Sequence, residues 1–297
     1  MTGTDPRWID ADGTPIDEED RGLVYDLATL VGRRGVLGLF GGMSAAALLA
    51  ACGGSDPTAA SSSSTTSPST SSGTSSGTSS GTPSTTPSGD LTEVPDETGG
   101  PYPGDGSNGV DVLDDSGIVR RDIRSSFGAS TTTAEGVPLT VRLTVRDAST
   151  GDVLRGAGVY LWHCDRDGRY SLYSDGAQDE NYLRGVQQVD NSGTVTFTTI
   201  FPACYAGRWP HIHFEVYGSL ADATGSGPIV KTSQIALPKE ACDAVYATAG
   251  YEQSVSNVAR TSLASDNVFG DDGGIHQLAS MGGDASAGYT AALTIGV

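Results

Sequence analysis

Two of the four histidines in this 297-residue chain lie two positions apart, as His211 and His213. In an extended strand, residues i and i+2 point to the same face, so the two imidazoles project together, about 6–7 Å apart at Cα. Ile212 and Phe214 take the opposite face, which we expect to point into a core. Paired imidazoles on one face of a strand can bind a metal ion, although two surface histidines would give the same pattern.

The residues that would complete a metal site are less obvious. Glu215 shares the face, but in an extended strand its Cα lies about 13 Å from that of His211, too far to join both imidazoles. A zinc site with Cys164 and Cys204 is an alternative. These cysteines lack the paired spacing of zinc motifs, and we expect an oxidising compartment for them.

Two tyrosines fit the histidine pair better. Tyr205 lies six residues before His211, and Tyr170 follows the strand-like segment that ends near Trp162. A phenol normally titrates near pH 10, but a hard trivalent cation lowers its pKa and binds the phenolate. Two phenolates and two imidazoles form a hard, anionic set of ligands that favours Fe(III).

The segments that position these residues have strand patterns. Pro138–Arg146 alternates apolar and polar residues, which is the period of a half-buried strand. Turn sequences rich in Asp, Asn, Ser and Gly separate it from its neighbours. The pattern predicts an all-β fold, an antiparallel β-sandwich. The other predicted strands are 157–163, 193–200, 212–217 and 231–237, with a short helix within 240–262.

Composition divides the chain into three parts. Residues 61–89 contain only Ser, Thr, Gly and Pro, which predicts a disordered linker over 52–100 and a folded domain over 101–297. The chain has 17 basic and 36 acidic residues, a net charge of −19, which disfavours nucleic acid and anionic lipid as partners. The two lysines and abundant Gly, Ser and Thr favour a loop-rich β domain over a helical bundle.

The first part, residues 1–51, is typical of an export signal with a long N-terminal extension. Arg33-Arg34 precede Gly35–Ala51, which carries no charge, and Cys52 follows two alanines. The twin arginine predicts the route for folded proteins. The sequence around Cys52 resembles a bacterial lipobox, so we expect a lipid anchor at the outer face of the cytoplasmic membrane. In that oxidising compartment, we expect a disulfide between Cys204 and Cys242.

An ordered set of short motifs runs from about residue 100 to 237. The motifs are Gly100-Pro-Tyr102, Arg121-Asp-Ile123, Trp162-His-Cys-Asp165, Gly168-Arg-Tyr-Ser171, Leu183-Arg-Gly-Val-Gln187, Asp190-Asn-Ser-Gly193, Thr198-Thr-Ile200 and Tyr205-Ala-Gly-Arg-Trp-Pro-His-Ile-His213. Together they resemble the intradiol ring-cleavage dioxygenases, in particular their exported bacterial branch. No helical dimerisation domain precedes them, and the loop between Tyr205 and His211 is shorter than in cytoplasmic members.

The resemblance implies an antiparallel β-sandwich enzyme that cleaves a catechol-type diol between its hydroxyl-bearing carbons, using O2, to a muconate-type product. Arg208 matches the family's active-site arginine and Gln234 its active-site glutamine, while Tyr205 would be the ligand that leaves when the diol binds. The implied ligands of a non-haem Fe(3+) are Tyr170, Tyr205, His211 and His213.

Two other functions remain open on the sequence. A non-catalytic surface module could keep the sandwich and bind iron, catecholates or glycans. A protein that stores or senses iron could use the same ligands without turnover.

Overall fold

The computed structural model of the protein describes residues 91–297. The predicted export signal, Cys52 and residues 52–90 of the predicted linker lie outside the described residues. Among residues 91–297, none of the helices has the length and hydrophobicity needed to cross a bilayer.

Eight strands form two four-stranded sheets in the described part of the chain. The first sheet has the order β4-β1-β8-β7 and the second the order β3-β2-β5-β6. The strands are β1 Pro138–Arg146, β2 Gly158–Trp162, β3 Arg184–Gln188, β4 Thr194–Ile200, β5 His211–Tyr217, β6 Ile229–Ala236, β7 Ser280–Asp284 and β8 Gly288–Gly296. Helices are short: α1 Leu220–Ala223, α2 Lys239–Tyr246 and α3 Glu252–Val258, with a 3-10 turn at Phe269–Asp271.

The predicted all-β sandwich is confirmed, and its core lies between the inner faces of the two sheets. Alternate residues of β1, beginning with Leu139 and Val141, are buried there, and alternate residues of β5, beginning with Ile212, meet them from the other sheet. The five predicted strands correspond to β1, β2, β4, β5 and β6 within two residues at either end.

Strand pairing departs from a purely antiparallel sandwich at one place. β1 and β8 are parallel, with Leu139 opposite Tyr289, whereas the other strand pairs are antiparallel. A long part of the chain, including α2, α3 and the 3-10 turn, separates β8 from β1. No hairpin joins these two strands, so nothing forces them to pair antiparallel. The sequence analysis missed β3, β7 and β8 because they are short or rich in Gly and small residues, which weakens their alternation.

The folded region begins earlier than the predicted boundary at residue 101. Val94 belongs to the core, and its amide donates to Gly296 O at 3.0 Å. The amide of Glu97 donates to Thr232 O of β6 at 2.8 Å. Composition alone suggested linker for 91–100, but one buried valine and backbone pairing hold this segment against both sheets.

The predicted disulfide between Cys204 and Cys242 is absent. Both thiols, and that of Cys164, are buried and free. Cys204 Sγ lies 3.4 Å from Arg208 O, while Cys242 Sγ lies 3.8 Å from Leu237 O. Each thiol therefore points at a backbone carbonyl near it in the chain.

Loops cover the outer face of the second sheet, the face that carries His211 and His213. Side chains of these loops and of the sheet face together form a second hydrophobic cluster, separate from the sandwich core. This cluster is rich in aromatic rings, including Tyr160, Trp162, Tyr170 and Tyr205. A strand face that would otherwise meet solvent is thereby buried, and the candidate site lies between it and the loops.

Candidate functional site

The predicted histidine pair lies as expected on one face of β5. His211 and His213 are each 2% exposed, and their Nε2 atoms are 3.1 Å apart. His211 Nδ1 donates to Trp209 O at 2.6 Å, which leaves its Nε2 as the atom with the lone pair. The indole of Trp162 stacks on His213 with centroids 4.9 Å apart, and this packing fixes the ring plane.

Tyr205 reaches the pair from the loop before β5. Its Oη lies 3.1 Å from His211 Nε2. Helix α3 holds this loop on both sides of Cys204: the Cys204 amide donates to Ser254 Oγ at 3.0 Å, and Asn257 Nδ2 donates to Cys204 O at 2.9 Å. The tyrosine thus approaches the histidines from a braced backbone.

Tyr170 enters from a different loop, which follows β2. Its amide donates to Ser174 Oγ at 2.9 Å, and Leu172 has a positive φ of 73°. Such backbone conformations cost about 1–3 kcal/mol and are concentrated at functional sites. The Tyr170 ring centroid lies 6.1 Å from those of both Tyr205 and His213. The structure therefore brings all four predicted ligands together.

Several polar atoms in this cluster lack ordinary hydrogen bonds. Tyr170 Oη and His213 Nδ1 are buried and have no hydrogen-bond partner among the described residues. His211 Nε2 is 3.1 Å from both Tyr205 Oη and His213 Nε2, but a neutral imidazole offers one lone pair there. A bound cation would satisfy this convergence, so the donor set fits a metal ion.

The electrostatics of the cluster's own residues favour neutral groups. Burial lowers the pKa of His211 well below its usual value, and the nearby Arg208 lowers it further. Burial likewise lowers the pKa of His213, with His211 as the next cause. Burial raises the pKa of Tyr170, and the neighbouring Tyr205 adds to that shift. Neutral imidazoles keep their lone pairs, while the phenols need a strong cation to ionise.

The alternative ligands considered from the sequence do not join this cluster. Glu215 Oε2 accepts a hydrogen bond from Tyr217 at 2.7 Å, further along the face. Within the part of the chain that the structure describes, no group of three or more His, Cys, Asp or Glu residues could hold a metal. The zinc hypothesis with Cys164 and Cys204 is therefore wrong, and any metal here requires the tyrosines.

A narrow cavity, too tight as it stands to hold a water molecule, adjoins the cluster. The segment before Pro103 forms its roof, and Tyr102 packs on Tyr170 with centroids 5.0 Å apart. Its lining is aromatic and otherwise nearly uncharged. The lining residues are Gly99, Gly100, Pro101, Tyr102, Trp162, Tyr170, Tyr205 and His213.

Arg208 and Gln234 lie side by side, as the resemblance implied. Arg208 Nη2 donates to Gln234 Oε1 at 2.6 Å, and Gln234 Nε2 donates to Thr98 O at 3.0 Å. Both side chains are buried. The sequence analysis missed the other partner, Asp266, which accepts from Arg208 Nε at 3.0 Å. No local pattern marks an aspartate 58 positions further along the chain.

His163 is buried directly after β2. Its Nδ1 lies 2.7 Å from Cys164 O, and its Nε2 lies 2.7 Å from Thr199 Oγ1. Both ring nitrogens are therefore used by the scaffold.

Comparison with known proteins also finds similarity to dioxygenases. A family model described as Dioxygenase (Dioxygenase_C) matches residues 123–224, which include Arg208 and the four candidate ligands. An intradiol ring-cleavage dioxygenase from Tetranychus urticae is 26% identical over 61% of this chain and 87% of its own, with a TM-score of 0.52. A second dioxygenase crystal structure is also 26% identical over the same shares, with a TM-score of 0.51.

The dioxygenase domain of a carbohydrate-binding fusion protein from Streptomyces sp. SirexAA-E is 22% identical over 69% of this chain and 98% of its own, with a TM-score of 0.45. With the Tetranychus urticae structure, the sheets of residues 91–297 are similar to those of an intradiol dioxygenase, and the family match spans β5 and the loops that carry Tyr170 and Tyr205, but not residues 99–102 of the cavity lining.

Proposed function

We propose that this protein is an Fe(III)-dependent intradiol dioxygenase that cleaves a catechol-type diol with O2 to a muconate-type diacid. The observation that carries the proposal is the convergence of His211, His213 and Tyr205 at 3.1 Å beside the unpartnered hydroxyl of Tyr170. Both atoms of O2 enter the product, so the reaction needs no external reductant.

When bound, Fe(III) would act as a Lewis acid and template for the diol and make its ring reactive toward O2. His211, His213 and Tyr170 would hold the ion throughout. Tyr205 would have the different task that the resemblance implies for it, and it is the more exposed of the two tyrosines, at 9% against 3%. Its oxygen would accept a proton from the diol as the substrate enters.

The other residues would supply orientation and charge. Arg208 is close enough to the cluster to depress the pKa of both histidines, so its guanidinium can stabilise negative charge that develops on the substrate. Gln234 would hold that guanidinium in place through the 2.6 Å hydrogen bond. The roof over the cavity would exclude water from the reacting ring.

The test is metal loading of the purified protein with Fe(III) or Zn(II), followed by addition of catechol under O2. We expect a visible phenolate-to-iron absorption band with iron alone, and stoichiometric O2 uptake with diacid formation only for the iron-loaded protein. A coloured protein that binds catechol without cleaving it would support the non-catalytic module instead. A colourless protein that prefers zinc would overturn the proposal.

We also propose that the enzyme is exported and anchored by lipid at Cys52. The support is the sequence Arg33-Arg34, the uncharged segment after it and the lipobox-like residues before the cysteine. We expect Cys52→Ala to move the protein from the membrane fraction to the soluble fraction, whereas Ser55→Ala leaves it in place. Replacement of both arginines by lysine should block export; export of an iron-loaded double-lysine variant would contradict the twin-arginine route.

A further inference from the structure

We propose that Asp266 is a positioning residue for the active site: it fixes the guanidinium of Arg208 and the backbone that leads into β5. This inference rests on the proposed function. Asp266 lies outside residues 123–224, the range matched by the family model, and in the segment between α3 and the 3-10 turn.

The carboxylate of Asp266 contacts both the side chain and the backbone of the site. Its Oδ2 accepts from Arg208 Nε at 3.0 Å and from the amide of Trp209 at 2.6 Å. The side chains of Arg208 and Asp266 are both 0% exposed. One oxygen atom therefore joins two consecutive residues of the loop that precedes the histidines.

The other oxygen fixes the carboxylate to its own loop. Asp266 Oδ1 accepts from the amides of Val268 at 2.8 Å and Phe269 at 3.1 Å. Phe269 is itself part of the sandwich core. The carboxylate cannot rotate without losing these backbone bonds, so it is a rigid reference point for Arg208.

Two short chains of hydrogen bonds lead from Asp266 to the candidate site. In the first, Arg208 extends to Gln234 at 2.6 Å. In the second, Asp266 accepts from the amide of Trp209, and the carbonyl oxygen of Trp209 accepts from His211 Nδ1 at 2.6 Å. The same carboxylate thus sets the direction of the positive charge and the backbone to which one histidine is tied.

Charge also favours this role. A buried guanidinium without its carboxylate is an uncompensated charge, which is strongly destabilising, whereas the complete pair is roughly neutral in its effect on folding. Glu97 also interacts with Arg208, but Asp266 is the carboxylate that accepts from the Arg208 Nε with both side chains completely buried. Removal of the carboxylate should therefore reorient Arg208 as well as weaken the fold.

The test compares Asp266→Asn with Asp272→Asn, an exposed change just after the 3-10 turn whose amide oxygen can still accept from the Gly274 amide. Each is made in the wild-type background and in Arg208→Ala. Iron content, the visible band, kcat and KM for catechol, and Tm are measured for all variants. Arg208→Ala alone should reduce turnover by about 10²–10³-fold, the scale for loss of one preorganised charge.

We expect Asp266→Asn to reduce kcat by about tenfold or more with iron bound, and by clearly less once Arg208 is gone, because residues that act as a unit are not additive. The loss that remains without Arg208 passes through the Trp209 backbone to His211, so it should come with a shifted visible band. We also expect Asp266→Asn to lower Tm, because an asparagine amide cannot accept both from the amide of Trp209 and from the amides of Val268 and Phe269. Asp272→Asn should change neither quantity in either background.

Equal losses of kcat from Asp266→Asn in both backgrounds, with an unchanged visible band, would mean a purely structural role and overturn the inference. So would an Asp266→Asn enzyme within threefold of wild type. These failures leave the proposed function standing if the wild type cleaves catechol. Absence of ring cleavage by the iron-loaded wild type would instead overturn the proposed function, and this inference with it.

Discussion

The two faces of β5 have the same degree of burial but opposite chemistry. Ile212, Phe214 and Val216 point between the sheets and belong to the aliphatic core. His211, His213 and Glu215 point outward, and they are as buried as their neighbours. The inner face is covered by a second sheet, whereas the outer face is covered by loops that bring their own polar groups.

This difference shows how the fold accommodates ionisable groups that are buried away from water. On the outer face, burial raises the pKa of Glu215 to about 8 and lowers those of the histidines. Such perturbed groups are typical of functional sites, whereas the inner face has no titratable side chain of β5. A face covered by loops can hold reactive groups and still vary its covering, while the inner face is limited to tight packing.

The largest expected effects come from neighbouring substitutions on the two faces. Phe214→Ala should lower the free energy of unfolding by about 3–5 kcal/mol, because it opens a cavity in the core. His213→Ala should instead abolish metal binding and turnover while retaining the cooperative unfolding transition.

Chemical denaturation and metal analysis of both variants check this contrast. If Phe214→Ala were nearly as stable as wild type, the inner face would not carry the stability of the core. If His213→Ala kept its iron and activity, the outer face would not carry the metal site.

The two tyrosines should differ although they are chemically alike. Tyr170 is 3% exposed and is held by a loop bonded through Ser174. Tyr170→Phe should remove a permanent ligand and reduce iron affinity by about tenfold or more. Tyr205→Phe should keep the iron with a weaker, shifted band and turn over slowly, because no phenolate remains to accept the substrate proton.

Metal content and visible spectra, with and without catechol, distinguish the two variants. A Tyr205→Phe protein without iron, alongside an active Tyr170→Phe protein, would mean that the roles are reversed.

Local patterns in the sequence predicted the features that depend on residues close together in the chain. Alternation identified β1 and the two faces of β5, and the types of His and Tyr identified the donor set. Contacts between distant segments carry no local pattern. Asp266 meets Arg208 across 58 positions, and the amide of Glu97 meets β6 across an even longer stretch of chain. The contacts that hold the covering loops in place are therefore the part of the site that the sequence did not predict.

The covering loops depend on Arg184, which should give the next largest effect. Its buried guanidinium donates to Ser171 O at 2.9 Å and to Pro103 O at 2.8 Å, so it joins the Tyr170 loop to the roof. Arg184→Lys keeps the charge but cannot span both loops. We expect a raised KM for catechol and a loss of about 1–3 kcal/mol in unfolding free energy.

Arg142→Lys is the matched control, because Arg142 is exposed on β1. An Arg184→Lys enzyme with the KM of wild type would show that the roof is held by other contacts.

The last expected effect concerns pH and the first segment that covers the site. Burial raises the pKa of Glu97 from its usual 4.5 to about 8, and Asp271 adds to that shift. The native state therefore holds this proton more tightly than the unfolded state. Stability from this group is complete below about pH 4.5 and is lost as pH rises to about 8.

Glu97→Gln mimics the protonated carboxyl, so it should remove this dependence. We expect wild type and variant to have similar Tm at pH 5, and the variant to be more stable by pH 8.5. Glu215 contributes equally to both curves and cancels in their difference. The control is Glu240→Gln, an exposed change at the start of α2, which should leave the difference flat. A Glu97→Gln curve parallel to that of wild type would mean that the covering segment opens to water and does not bury its carboxyl, in contrast with the inner face of β5.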